Sequence, residues 1–148
     1  MFIKIFYKLL IGLLSCIPLM AHAMANLTVF INHHPFYLEV PKTVKEYDQG
    51  LMYRKSLAQN KGMIFVFDPK DKSRPTMWMK NTYIPLDMLF IGSDYRIQCI
   101  LEQTQPLSLT LLSCNNTVLA VIELNAGDVE KFQLKKGMEI KSVSSTIN

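Results

Sequence analysis

The stretch Leu86-Asp87-Met88-Leu89-Phe90-Ile91, the turn Gly92-Ser93-Asp94 and the run from Arg96 to Leu101 decide the fold class. Each run is short and rich in β-formers, and the Gly-Ser-Asp triplet is turn chemistry, so the unit reads as two strands around a turn. The same grammar recurs outward along the chain. Leu27 to Ile31 and Phe36 to Val40 flank a polar turn at Asn32-His33-His34-Pro35. Met63 to Phe67 and Thr76 to Lys80 flank Asp68-Pro69-Lys70-Asp71, while Leu107 to Leu112 and Val118 to Leu124 are joined by a turn at Asn115-Asn116 that suits a hairpin. Met138 to Val143 reads as a last strand. Many short strands with regular turns predict a mainly β domain, a sandwich or barrel, rather than alternating α/β units.

Two helices interrupt the pattern. Thr43-Val44-Lys45-Glu46 is a capping box, in which the Thr43 hydroxyl accepts from a first-turn amide and Glu46 reaches back to the Thr43 amide. It opens a helix expected to run to about Met52, with Val44, Tyr47 and Leu51 on the face that docks on a sheet. Ala126 to Phe132 is read as a second, short helix.

The chain begins with Lys4 and Lys8, no acidic residue, an apolar run from Leu9 to Met20 and the small-residue pattern Ala21-His22-Ala23. The run is shorter than the roughly 20 residues a spanning helix needs, and an A-x-A site ends it, so residues 1–23 read as a cleaved secretory signal. The expected product is a single β domain, residues 24–148, periplasmic or secreted, with no transmembrane segment left. The alternative is a lipoprotein anchored through Cys16, because Leu13-Leu14-Ser15-Cys16 resembles a lipobox. Removing the signal leaves 14 basic side chains against 12 acidic ones, a net charge of +2. The remaining basic clusters are mixed with acids and show no stripe interleaved with aromatics, so nucleic acid is not an expected partner. Cys99 and Cys114 remain in either form; in an oxidising compartment they can close a loop worth roughly 3 kcal/mol, and spacing alone leaves the bridge open.

Candidate functional residues come from polar groups in apolar company. Alternation puts Thr76, Trp78 and Lys80 on one face and Met77 and Met79 on the other. Asp87 shares its face with Leu89 and Ile91, and Glu123 with Leu119 and Val121. A buried carboxylate needs a cation or hydrogen-bond donors, so Arg54, Lys80 and Asn81 are the expected partners. These six residues, Arg54, Trp78, Lys80, Asn81, Asp87 and Glu123, are read as the polar lining of a pocket with Trp78 as a wall, or as a structural ion pair. An acid and base pair of Asp87 and Glu123 would make a hydrolase. Met77-Trp78-Met79 with His33-His34 could supply soft copper ligands, but methionine in a strand is more often core filler, and no metal or other cofactor is expected. No G-x-S-x-G and no phosphate-binding glycine loop is present.

Four blocks, Gln49 to Arg54, Gly62 to Phe67, Trp78 to Ile91 and Ala120 to Gly127, occur in an order that resembles the family called domain of unknown function 192, over about Val40 to Val143. The resemblance implies a compact jelly-roll-like β fold in small, often exported proteins, and no reaction. Its recurring polar positions fall on Arg54, Lys80, Asn81, Asp87 and Glu123, with Trp78 and Met79 in the same signature. Met77, Cys99 and Cys114 depart from the family's pattern. The leading expectation is a noncatalytic ligand-binding or accessory module for a small molecule or protein. A hydrolase and a purely structural protein-interaction domain are the alternatives, the last predicting an exposed apolar patch.

Overall fold

A computed structural model describes residues 25–68, 70, 75–115 and 117–143. The proposed signal segment and Cys16 lie outside the described residues, as does Asn116 of the expected turn. Seven strands form one sheet: β1 (Ala25–Ile31), β2 (His34–Val40), β3 (Lys61–Val66), β4 (Leu86–Ile91), β5 (Ile97–Leu101), β6 (Ala120–Asn125) and β7 (Ile140–Val143), in the spatial order β5-β4-β6-β3-β2-β1-β7. Two short helices, α1 (Val44–Gln49) and α2 (Asp128–Lys131), complete the elements. All neighbours are antiparallel except β2 and β3, whose parallel pairing requires the crossover that carries α1. The fold is thus mainly β with two short helices, as expected.

The sheet curls until its edges meet. Arg96, just before β5, bridges Glu139, just before β7. The Ile97 amide donates to Met138, the Gly137 amide to Ile97 and the Ile140 amide to Tyr95. Curling gives the sheet a concave side lined by Val29, Ile31, Phe36, Leu38, Ile64, Leu89, Ile91, Ile97, Ala120, Ile122 and Leu124, with Val129, Phe132 and Leu134 of the α2 region packed into it. A second core on the convex side joins Met63, Phe65, Leu86, Met88, Phe90 and Val121 to Leu51, Met79, Cys114 and Val118 from the long connections. Alternation along each strand sorts the side chains between these two cores.

Local chemistry explains the connections. Asn32 and His33 both take positive φ (48° and 66°), as a two-residue type I′ hairpin turn requires, and Ile31 pairs with His34 across it. The capping box of α1 forms as read: Thr43 Oγ1 accepts from the Glu46 amide, and Glu46 accepts from the Thr43 amide at 2.9 Å. The helix stops at Gln49, because Gly50 turns to φ +49° and sits close enough to Phe65 that a Cβ would approach its Cζ to 3.1 Å. Tyr47 and Leu51 do dock, Tyr47 through a hydroxyl bond to the Val66 carbonyl at 2.7 Å, whereas Val44 is 78% exposed, on the capped first turn away from the sheet.

Three expectations are corrected. Residues 76–80 are not a sheet strand, nor are 107–112: the two segments meet only through a bridge between Met77 and Leu112 and the bonds around it. They lie over the convex core as a strap. No hairpin joins 107–112 to β6, whose neighbours are β3 and β4. Cys99 and Cys114 form a disulfide that ties this strap to β5.

Candidate functional site

The convex core carries one buried acid. Glu123 on β6 pairs with Met63 of β3 and Met88 of β4, and it is 4% exposed. Gly62 lets β3 approach this point: a Cβ there would collide with the Glu123 carbonyl oxygen and with the side chains of Leu124 and Leu38. No hydrogen-bond donor reaches the Glu123 carboxyl among the described residues. Burial pushes its pKa up to about 8, and the positive charge of Arg54 only partly opposes that. Glu123 is therefore predominantly a neutral carboxylic acid at pH 7.

Arg54 is committed elsewhere. Its two terminal nitrogens donate to both oxygens of Glu39 at 2.6 and 2.7 Å, a bidentate pair that raises the guanidinium pKa further. Glu39 lies on the same convex face, one strand beyond Met63, so Arg54 acts on Glu123 through space. The sequence reading missed Glu39. The signal was available: in β2 it alternates with Phe36 and Leu38, which face the other core.

Above Glu123 opens a cleft of about 670 Å³ between the turn after α1 and the strap, with Trp78, Lys80, Asn81 and Glu123 all on its wall. The alternation expected at 76–80 holds locally: Met79 is fully buried and Met77 packs on the core, while Trp78 and Lys80 face outward. This placement makes the methionines core filler. Among the described residues no group of three or more His, Cys, Asp or Glu side chains could hold a metal ion. The Lys80 ammonium lies 4.9 Å from the centre of the Trp78 ring, within cation–π reach.

Asn81 ties the two walls together. Its side-chain amide donates to the Tyr53 hydroxyl at 2.8 Å, and the Tyr53 amide donates to the Asn81 carbonyl at 2.8 Å. Both residues take positive φ, which asparagine tolerates well and tyrosine does not. The result is an exposed aromatic rim: Trp78 is 44% exposed, Tyr53 is 56% exposed, and Tyr83 stands edge-on to Tyr53 with ring centres 6.2 Å apart.

Asp87 is not part of this cleft. It pairs with Leu124 while Met88 pairs with Glu123, and that offset of one residue sends the two carboxylates to opposite faces of the sheet. Nor does it pair with Arg54, Lys80 or Asn81. Completely buried, it accepts from the amides of Gln103 at 2.9 Å, Gly127 at 2.9 Å and Val129 at 3.0 Å. Gly127 caps α2 without a side chain, so Asp87 of β4 supplies the missing acceptor from the sheet. An acid and base pair of Asp87 and Glu123 is excluded by this geometry. A second, smaller cleft of about 470 Å³ at the β1–β2 hairpin contains none of the six residues.

Among the described residues no helix is long and apolar enough to cross a membrane. The sequence model of the DUF192 family, described as uncharacterized ACR, matches residues 27–142. A solved structure from Sinorhizobium meliloti 1021, provisionally described as a transcription regulator, superposes with a TM-score of 0.75 at 36% identity, covering 81% of this chain and 95% of that one. A protein of unknown function from Novosphingobium aromaticivorans DSM 12444 gives 0.70 at 33% identity, covering 84% and 89%. No curated protein was found to match. The family match spans most of the chain and both structures share the fold at over 30% identity, so the chain belongs to the DUF192 family.

Proposed function

We propose that the protein is an exported, noncatalytic binding module whose ligand enters the cleft over Glu123. The observation that carries this reading is a buried carboxyl with no donor of its own at the floor of an open cleft rimmed by exposed aromatic rings. Burying such a group costs free energy that the fold recovers only if something else uses it. With Asp87 on the far face and Glu39 held bidentate by Arg54, neither of these carboxylates is placed to share acid–base work with Glu123, which supports binding over hydrolysis. Export rests on the Lys4 to Ala23 pattern. Trp78, Lys80, Asn81 and Glu123 are assigned to the ligand, Arg54 to setting the charge beneath it, and Asp87 to holding α2.

The test is a thermal-shift screen of the purified protein against sugars, peptidoglycan fragments, nucleotides, amino acids and metals, repeated on Lys80→Ala and Trp78→Ala. A ligand selective for the folded state must stabilise it, so a compound that raises the midpoint in wild type and in neither variant establishes the site. Silence across the screen removes the reading. One observation favours a second reading in that event: Leu107, Leu109 and Leu111 are all exposed on the strap, an apolar patch of the kind a protein-interaction domain shows.

A further inference from the structure

The cleft's chemistry narrows the ligand class. Its lining offers two exposed flat rings, Trp78 and Tyr53, with polar groups at hand: the Tyr53 hydroxyl accepts from Asn81 and still has a proton to give, and the Asn81 side-chain oxygen has no donor among the described residues. A ligand that fits must therefore be apolar on a face and polar around its edge.

Charge does not favour the simpler candidates. On the cleft wall Lys80 and Asp48 offset one another, Lys80 already lies against the Trp78 ring, and Arg54 is matched by Glu39, so neither a cation nor an anion finds an excess of opposite charge. The floor cannot compensate at neutral pH, because Glu123 keeps its proton there. An anion gains Lys80 at the solvent edge but approaches an acid that can ionise only with greater repulsion, while the Arg54 guanidinium is already bound by Glu39. A neutral carboxylic acid presents one donor and one acceptor, and a hydroxyl, which carries both on one atom, or an amide satisfies it. At a carboxyl only 4% exposed those hydrogen bonds count for more than at the surface.

We propose that the cleft binds a neutral saccharide, its ring lying against Trp78 and its hydroxyls meeting Glu123, Asn81 and Tyr53. This rests on the binding-module reading above and names its ligand class.

Trp78 is the only tryptophan in the chain, so intrinsic tryptophan fluorescence reports the cleft alone. The purified protein is titrated at pH 6.5 with N-acetylglucosamine, chitobiose, cellobiose and maltose, and in parallel with tetramethylammonium and succinate. The expected result is a saturable change with at least one saccharide and none with either ion. Calorimetry then shows that saccharide bound roughly tenfold or more weaker by Trp78→Ala. Trp78 is half-exposed, so its variant tests the platform without emptying the core, and circular dichroism verifies its fold. A response to tetramethylammonium or succinate alone overturns the saccharide and leaves the binding module standing. Saccharide binding that Trp78→Ala does not weaken places the ligand elsewhere and overturns the proposal. Silence in the titration together with silence in the thermal-shift screen removes both.

Discussion

Glu123 and Asp87 are both acids inside the domain, and their surroundings give them opposite tasks. Asp87 has three backbone amides aimed at it; Glu123 has none. For Glu123 the folded pKa of about 8 stands above the ordinary value of 4.5, so between these values the folded chain holds a proton that the unfolded chain has lost. Its contribution to stability is intact below about pH 4.5, falls as pH rises through that interval and levels off above pH 8. Glu123→Gln carries no such proton and is expected to flatten this decline, gaining about 2–4 kcal/mol over wild type at pH 9 in urea unfolding. Equal slopes in the two proteins would mean that the carboxyl reaches water. Asp87→Asn keeps the shape but presents an NH₂ group to one of the three amides, and is expected to lose about 2–4 kcal/mol. A loss below about 0.5 kcal/mol would show that α2 needs no acceptor from β4. Both acids were recognisable in the sequence from their apolar neighbours. Their separation was not, because the face each occupies depends on the β4–β6 register, a relation between residues 36 positions apart.

At the scale of elements, the strands that joined the sheet were legible and the strap was not. β4 runs from Leu86 to Ile91 as its alternation and turn indicate, and the Thr43 box marks the start of α1. Residues 76–80 alternate because they lay Met77 and Met79 on the convex core, whereas 107–112 sets only Leu112 there and exposes Leu107, Leu109 and Leu111. A buried face needs a period of two whether or not a full ladder of hydrogen bonds accompanies it, so periodicity alone reads a strap as a strand. This same irregularity builds the cleft, since Trp78, Lys80 and Asn81 stand on the strap's outer side. The β3–β6 pair beneath depends on Gly62. Gly62→Ala is expected to cost about 1–3 kcal/mol, because its Cβ meets backbone that cannot step aside, and to blue- or red-shift Trp78 emission as Glu123 is displaced. Unchanged stability would show that β3 and β6 can separate freely.

For the molecule as a whole, the Cys99–Cys114 bond secures the strap against β5 with 15 positions between its ends. Replacing both cysteines by alanine is expected to lower stability by about 2–4 kcal/mol in denaturant unfolding. Amide exchange should rise first in residues 77–82 and 104–113, with β1 to β3 protected as before. Uniform loss of protection would mean that strap and sheet open as one unit. The sheet itself closes in a different way. Its first strand pairs with its last, Thr28 with Val143 and Ile31 with Ile140, and the seam near β5 needs Glu139 and Met138. Contacts between segments over 100 residues apart form late and slowly. A ribosome that has not yet delivered residues 138–143 therefore holds a chain whose curled sheet lacks its last strand, with the outer edge of β1 unpaired.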